Sequence, residues 1–309
     1  MCRTCGCSDD AQPTLTDLQT GAQVPLSTDR QHHDHHHHEP GKAHSHEHDH
    51  DHEHSHEHDH EHDHSHLHVH SHPHDEAMVH AHHHGRVIHL EQDLLAKNRL
   101  LAERNRGWLA GRDILALNLI SSPGAGKTTL LERTIRDLGG EFPISVIEGD
   151  QATLHDAQRI QATGCRVMQI NTGAGCHLEA DMTARALDQL NPPLNSVVMI
   201  ENVGNLVCPA LFDLGERAKV VIMSVTDGED KPVKYPHAFR ASQLMILNKI
   251  DLLPHLQFDV QRCLDFARLA NPHLRVIQIS ATRGDGLEDW YAWLREQCRE
   301  LARSVTIVR

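Results

Sequence analysis

From residue 114 onward the apolar residues fall into short blocks separated by amphipathic stretches. The blocks at 114–121, 144–148, 167–171, 197–201, 220–225, 244–248 and 276–280 are apolar on both faces and rich in Val and Ile. That is the pattern of strands buried inside a parallel sheet. Helical periodicity fills the intervals near 127–138, 153–163, 177–190, 259–269 and 286–303. Strand and helix in alternation predict an α/β fold, a doubly wound and mainly parallel sheet. Ligands in such sheets bind at the carboxyl ends of the strands. Upstream, Ile88, Leu90, Leu94, Leu95, Leu101 and Leu109 are spaced for one amphipathic helix, which Gly111 can end.

Before residue 87 this patterning stops, and composition explains why. The chain has 309 residues and 32 His, of which 26 lie between His32 and His84. Twelve carboxylates and one lysine are interleaved with them, so this stretch carries −11 of the chain's net −14. Every aromatic residue lies at or after Trp108. A segment without aromatics and with few large aliphatics cannot offset its ordering entropy. Residues 1–86 are therefore expected to be a disordered metal-binding arm, and residues 87–309 one α/β domain with an N-terminal helix.

The same numbers exclude several classes. No apolar run is long enough to span a bilayer, and the N-terminus lacks the basic-then-apolar order of a signal peptide. An acidic arm on a near-neutral body offers no footprint for nucleic acid. The eight Cys include three crowded at Cys2, Cys5 and Cys7, and without a secretory signal reduced thiols for metals are expected rather than disulfides. The expected location is the cytoplasm.

Residues 121–129 read Ser-Ser-Pro-Gly-Ala-Gly-Lys-Thr-Thr between the first predicted strand and the first predicted helix. Gly124, Ala125 and Gly126 allow a tight loop whose N–H groups converge on phosphate oxygens. Lys127 is expected to reach the β- and γ-phosphates, the Thr128 hydroxyl to bind Mg²⁺, and Thr129 to join the nucleotide contacts. A Gly-rich loop can simply cap a helix, but strand before and helix after favour phosphate. Ser121 stands where the usual pattern has its first Gly.

A late apolar strand ends in Asn248-Lys249-Ile250-Asp251. A carboxylate at Asp251 can accept from the N1–H and 2-amino group of guanine, a donor pattern adenine lacks. Asn248 would fix the ring and Lys249 pack along it, with Ser280 and Ala281 as a second base-contacting loop; GTP is favoured over ATP. Asp150, after Glu148-Gly149, and Glu201, at the end of the fourth strand, are the expected carboxylates for Mg²⁺. Lys127 and Glu201 are expected to carry catalysis, with no base assigned. Gly204 is placed to let a backbone N–H sense the γ-phosphate.

Three groups of residues have the chemistry of soft or borderline metals. Cys176-His177 and Cys208 suit Ni²⁺ or Zn²⁺, although buried Cys are often plain packing residues and spacing leaves both readings open. Cys2, Cys5 and Cys7, around Gly6, can wrap one ion. The alternating tract, with His48, His50, His52, His54, His56, His58 and His60 at its centre, is composed to store metal without choosing among Ni²⁺, Zn²⁺ and Cu²⁺. Cys165, Cys263 and Cys298 read as packing residues.

Taken together, these motifs resemble the HypB family, the nickel-incorporation GTPases of hydrogenase maturation, within the SIMIBI class of P-loop GTPases. The resemblance includes Glu201-Asn202-Val203-Gly204 running on to Cys208-Pro209, and Asp230-Lys231-Pro232 running on to Lys234-Tyr235-Pro236. It implies slow, Mg²⁺-dependent GTP hydrolysis that licenses Ni²⁺ delivery to the large subunit of [NiFe]-hydrogenase. It further implies a partner nickel/zinc maturation protein and a GTP-dependent homodimer with Cys176, His177 and Cys208 at its interface. The Lys231 segment is similar to a family loop that reaches the nucleotide or the neighbouring subunit. Urease-type chaperones carry Cys-Pro-His and cobalamin-type chaperones Cys-x-Cys-Cys, and both motifs are absent here. A third alternative is a nickel or zinc storage buffer whose GTPase half is regulatory.

Overall fold

The computed structural model describes residues 13–26, 76–151 and 153–308. The elements are β1 (Thr14–Asp17), β2 (Gln23–Pro25), α1 (Glu76–Ala110), β3 (Leu115–Ser121), α2 (Lys127–Leu138), β4 (Ile144–Asp150), α3 (His155–Gln161), β5 (Arg166–Asn171) and α4 (Ala180–Leu190). There follow β6 (Val197–Glu201), α5 (Cys208–Leu211), β7 (Ala218–Ser224), α6 (Lys231–Lys234), α7 (Pro236–Ala241), β8 (Leu244–Asn248), a 3₁₀ turn (Ile250–His255), α8 (Val260–Ala270), β9 (Arg275–Gln278) and α9 (Leu287–Val308).

The strands form one sheet in the order β2-β1-β5-β4-β6-β3-β7-β8-β9. From β5 to β9 every pairing is parallel. All seven expected strands are present, and both sheet faces are covered. Alternation along β3 shows why: Leu115, Leu117 and Leu119 point into a core with α2, α3 and α9, while Ala116 and Ile120 face the opposite layers. Strands apolar on both faces are what a doubly covered sheet requires.

The N-terminal segment departs from expectation. Residues 13–26 fall in the arm expected to be disordered, yet they form the β1–β2 hairpin and extend the sheet antiparallel to β5. Leu15 is fully buried among Ile170, Met168 and Leu187, and Leu26 closes the same cluster. One apolar side chain in a four-residue strand leaves no periodic signal; what holds it is the open edge of β5.

Helix α1 starts at Glu76 rather than near Ile88, and its portion from Ile88 belongs to the same compact unit as the sheet. Among its described side chains it buries Asn98, Ala102, Asn105 and Leu109, while Leu94 and Leu100 are exposed. Asn98 donates to the Asp213 carbonyl at 2.7 Å and accepts the Ala180 N–H at 2.8 Å. Asn105 donates to the Ala180 and Leu214 carbonyls at 2.8 and 3.0 Å. The helix docks through amide clamps onto loop backbone, which a hydrophobic stripe does not reveal. Among the described residues no helix is long and apolar enough to cross a membrane.

Candidate functional site

The loop between β3 and α2 wraps the start of that helix. Gly124 and Gly126 adopt positive φ of 73° and 95°, a backbone that costs an L side chain dearly. At Gly126 a Cβ would also lie 2.5 Å from Asn248 Nδ2, so no larger residue fits. Lys127 Nζ, almost fully buried, donates to Ser121 Oγ at 2.7 Å; Ser121 thus parks the lysine from the position of the missing glycine. Burial lowers the Lys127 ammonium, and Glu201 opposes that.

Thr128 Oγ1 donates to Glu201 Oε1 at 2.8 Å, while Glu201 Oε2 is buried with no hydrogen-bond partner in the protein. Burial pushes the Glu201 carboxyl up to about 7 against the pull of Lys127. A hydroxyl beside a carboxylate with a spare oxygen is a donor set that fits Mg²⁺. Asp150 lines the same cavity of about 400 Å³, and its Oδ2 accepts from Thr153 N at 3.0 Å and Thr153 Oγ1 at 2.8 Å. Glu148, also on the cavity wall, is buried, and burial followed by the charge of Glu201 pushes it up to about 9.

Lys249 also lines the cavity, and Asn248 just before it ties two loops together. Its Nδ2 donates to the Ala125 carbonyl at 2.9 Å, and its Oδ1 accepts from Lys249 N at 2.8 Å and Ala281 N at 3.1 Å. Lys249, at φ 65°, sends Nζ to the Gly124 carbonyl at 2.8 Å. Asp251 keeps a buried oxygen, Oδ1, without a partner in the protein. Ser280 instead serves its own turn, its hydroxyl meeting Thr282 Oγ1 at 3.2 Å and the Arg283 N–H at 3.1 Å.

Residues far apart in sequence meet in the second site. One ligand atom each from Cys176, His177 and Cys208 lies within 4.8 Å of the others. Among the described residues no other group of three or more potential ligands is this close. His177 packs tilted against Phe212, with ring centroids 3.9 Å apart, and burial holds its imidazole down at about 4, in the neutral form that ligates metal. The site is joined to the nucleotide loops. Asn202, directly after Glu201, accepts the Leu178 N–H, and Asn205 donates to the Cys176 carbonyl at 3.4 Å. Gly149, between Glu148 and Asp150, lies so close to Leu178 that a Cβ would come within 2.8 Å of it.

The CobW/HypB/UreG nucleotide-binding domain family matches residues 115–278, from the start of β3 to the end of β9. Hydrogenase maturation factor HypB of Escherichia coli (strain K12) is 57% identical over 212 residues, spanning 69% of this chain and 73% of the relative. The chain is a member of the HypB family. HypB from Archaeoglobus fulgidus, a hydrogenase maturation factor of solved structure, is 38% identical at a TM-score of 0.62 and covers 66% of this chain and 99% of its own. HypB from Helicobacter pylori, solved in complex with nickel, is 36% identical at a TM-score of 0.63, covering 66% of this chain and 96% of its own. The fold is accordingly that of the SIMIBI P-loop GTPases.

Two further residues reach the cavity and its loop, Arg159 from outside any motif and Lys231 from the segment that resembles a family loop. Arg159 of α3 lines the cavity and contacts Glu132 at 2.9 Å, Asp156 at 3.1 Å and Thr129 Oγ1 at 3.3 Å. Lys231 donates to Ser122 Oγ at 3.1 Å, bringing its segment onto the phosphate loop. Asp156 and Arg159 sit at i, i+3 on a helix directly after Glu148-Gly149-Asp150, the one signal that pointed to them. Cys165 and Cys263 are buried in the cores, where burial pushes both thiols up to about 12. Cys2, Cys5, Cys7 and the tract around His48–His60 lie outside the described residues.

Proposed function

We propose that this chain binds and hydrolyses GTP and uses the nucleotide cycle to control a nickel ion carried for hydrogenase maturation. The observation that carries the reading is that the Cys176–His177–Cys208 cluster hangs by two hydrogen bonds, through Asn202 and Asn205, from the loop that begins at Glu201. Nickel-bound HypB of Helicobacter pylori and the maturation factor of Escherichia coli support nickel as the cargo and hydrogenase as the destination.

In this reading the N–H groups of Gly124 to Thr129 cradle the phosphates, and Lys127 leaves Ser121 to reach the β- and γ-phosphates. Thr128, Glu201 and Asp150 would hold Mg²⁺, which when bound neutralises charge on the transferred phosphate. Asp251 accepts from guanine, Asn248 holds the loop that backs the base, and Lys249 covers it. Ala281 completes the pocket through its N–H, whereas Ser280 acts by shaping that turn.

Two thiolates and a neutral imidazole suit Ni²⁺ and equally Zn²⁺. An incomplete set of three ligands invites a further one from elsewhere, in keeping with a GTP-dependent homodimer or with handover to a partner nickel/zinc maturation protein and then to the hydrogenase large subunit. Cys2, Cys5 and Cys7 form a separate thiolate site, and the His tract stores nickel. The setting is the cytoplasm.

The test is phosphate release from GTP together with hydrogenase activity in cells lacking the gene. Glu201→Gln is expected to stop both while leaving nickel binding intact. Removal of residues 32–74 is expected to leave both in place when nickel is plentiful; loss of hydrogenase activity at high nickel would instead favour a storage buffer.

A further inference from the structure

Three buried polar side chains stand side by side on neighbouring strands near the carboxyl ends of β4, β5 and β6. Gln169 of β5 pairs in register with Glu148 of β4, and Glu148 pairs in register with Glu201 of β6. Their exposures are 2%, 2% and 4%. Neighbouring parallel strands in register put side chains on one face, and both glutamates line the phosphate end of the nucleotide cavity. Each keeps one buried carboxyl oxygen, Glu148 Oε2 and Glu201 Oε2, with no partner in the protein. Leaving a carboxylate in that condition is costly, and a native chain retains such a group where a ligand answers it.

Glu201 is already committed to the Thr128 hydroxyl, but Glu148 has no task in the reaction described above. We propose that Glu148 is a further positioning residue for the cation that accompanies the nucleotide, acting from the strand beside Glu201. The inference rests on the proposed reading of the nucleotide site. Mg²⁺ takes only one or two carboxylates directly and keeps several waters. With Thr128, Glu201 and Asp150 at the inner positions, the buried Glu148 carboxyl group next to them accepts a hydrogen bond from a cation-held water at Oε2. Gln169 is the neighbour that steadies it: its Nε2 donates to the Thr153 carbonyl at 2.5 Å, which fixes the amide against Glu148. Such outer partners orient the ligand set and typically alter metal affinity about 10- to 100-fold when removed.

The measurement is the release rate of a fluorescent, non-hydrolysable GTP analogue from the full-length protein as Mg²⁺ is raised from an EDTA baseline. It reads the cation site without turnover, and Mg²⁺ prefers oxygen ligands to the thiols and imidazoles of the arm. For Glu148→Gln, which keeps the side chain's size, the Mg²⁺ concentration that half-maximally slows release should rise about tenfold. The rate in EDTA and the melting temperature should be unchanged or the latter raised. Gln169→Leu should shift the midpoint in the same direction by less, and it serves as the reporter if the Glu148→Gln variant does not fold. An unchanged midpoint in the folded variants overturns the proposal, as does an EDTA rate altered by the same factor as the Mg²⁺ rate. Release insensitive to Mg²⁺ in the unaltered protein overturns the underlying reading of the cation site instead.

Discussion

The Asn202 side-chain oxygen accepts the backbone N–H of Leu178 at 3.2 Å, joining the residue after Glu201 to the residue after His177. The same amide donates to Asn118 Oδ1 at 3.2 Å, and Asn118 in turn donates to Glu216 Oε1 at 3.1 Å. Asn202 is 1% exposed and forms part of the nucleotide cavity wall. A change in the loop after Glu201 is therefore transmitted toward the Cys176–His177–Cys208 cluster through this fully buried amide, beside the longer bond from Asn205 to the Cys176 carbonyl.

Replacing Asn202 by Leu keeps its bulk but strands the Leu178 N–H and the Asn118 oxygen. We expect a stability loss of about 1–3 kcal/mol in urea unfolding, together with nickel affinity at the cluster that no longer differs between the GTP- and GDP-loaded protein. A nucleotide-dependent difference that survives in calorimetric titration would remove Asn202 as the link.

Asp251→Asn exchanges an acceptor for a donor opposite the guanine N1–H and amino group. GTP binding is expected to weaken by about 2–3 kcal/mol, the worth of hydrogen bonds to a charged group, and xanthosine triphosphate to become the better ligand. Competition among GTP, ATP and XTP reads this directly; an unchanged order of preference would sink the assignment.

Cys208→Ala should abolish nickel at the cluster. The background is best removed by deleting residues 32–74 and replacing Cys2, Cys5 and Cys7 with Ser, because starting the chain at Ile88 would also strip β1 and β2 from the sheet. Equal nickel stoichiometry with and without Cys208 would refute its role as a ligand.

Leu15 has 0% exposure in the strand that covers the edge of β5. Leu15→Ala is expected to cost about 2–5 kcal/mol, the range for emptying a buried leucine site. A loss under about 0.5 kcal/mol, the size of ordinary surface changes, would mean that the hairpin is not part of the cooperative unit.

Acid should separate the two kinds of histidine. His177, held by burial at about 4, lies below its unfolded value of about 6.5. Its contribution to stability, up to about 3 kcal/mol in the metal-free protein, is present above about pH 6.5 and is lost as the pH falls toward about 4. Imidazoles of ordinary pKa, as expected in the tract, lose metal between about pH 6.5 and 5 because protons compete for the same nitrogen. Equilibrium dialysis at about pH 7.5 and 5.5 should show most nickel leaving the full-length protein and far less leaving the form without residues 32–74. Parallel losses from both forms would contradict this.

Much of this protein was legible from short-range pattern. Seven strands announced themselves because a strand covered on both faces must be apolar over most of its length, as residues 197–200 and 244–247 are. The loop at 121–129 and the Asn248–Asp251 segment were readable because each is a run of consecutive residues at a strand end, so the pattern lies within one short stretch of sequence. The rest depended on partners distant along the chain. Leu15 is a strand residue because β5 ends the parallel sheet with an open edge. Asn98 and Asn105 dock α1 because the carbonyls of Asp213, Ala180 and Leu214 converge on them. Spacing left Cys208 open between ligand and packing residue, and it is the fold that brings it to Cys176 and His177. Glu148 looked like the end of a strand until the register set it between Gln169 and Glu201. Backbone propensity and periodicity are local quantities, whereas a buried carboxylate, an amide clamp and a three-ligand cluster take their energies from neighbours that folding alone supplies.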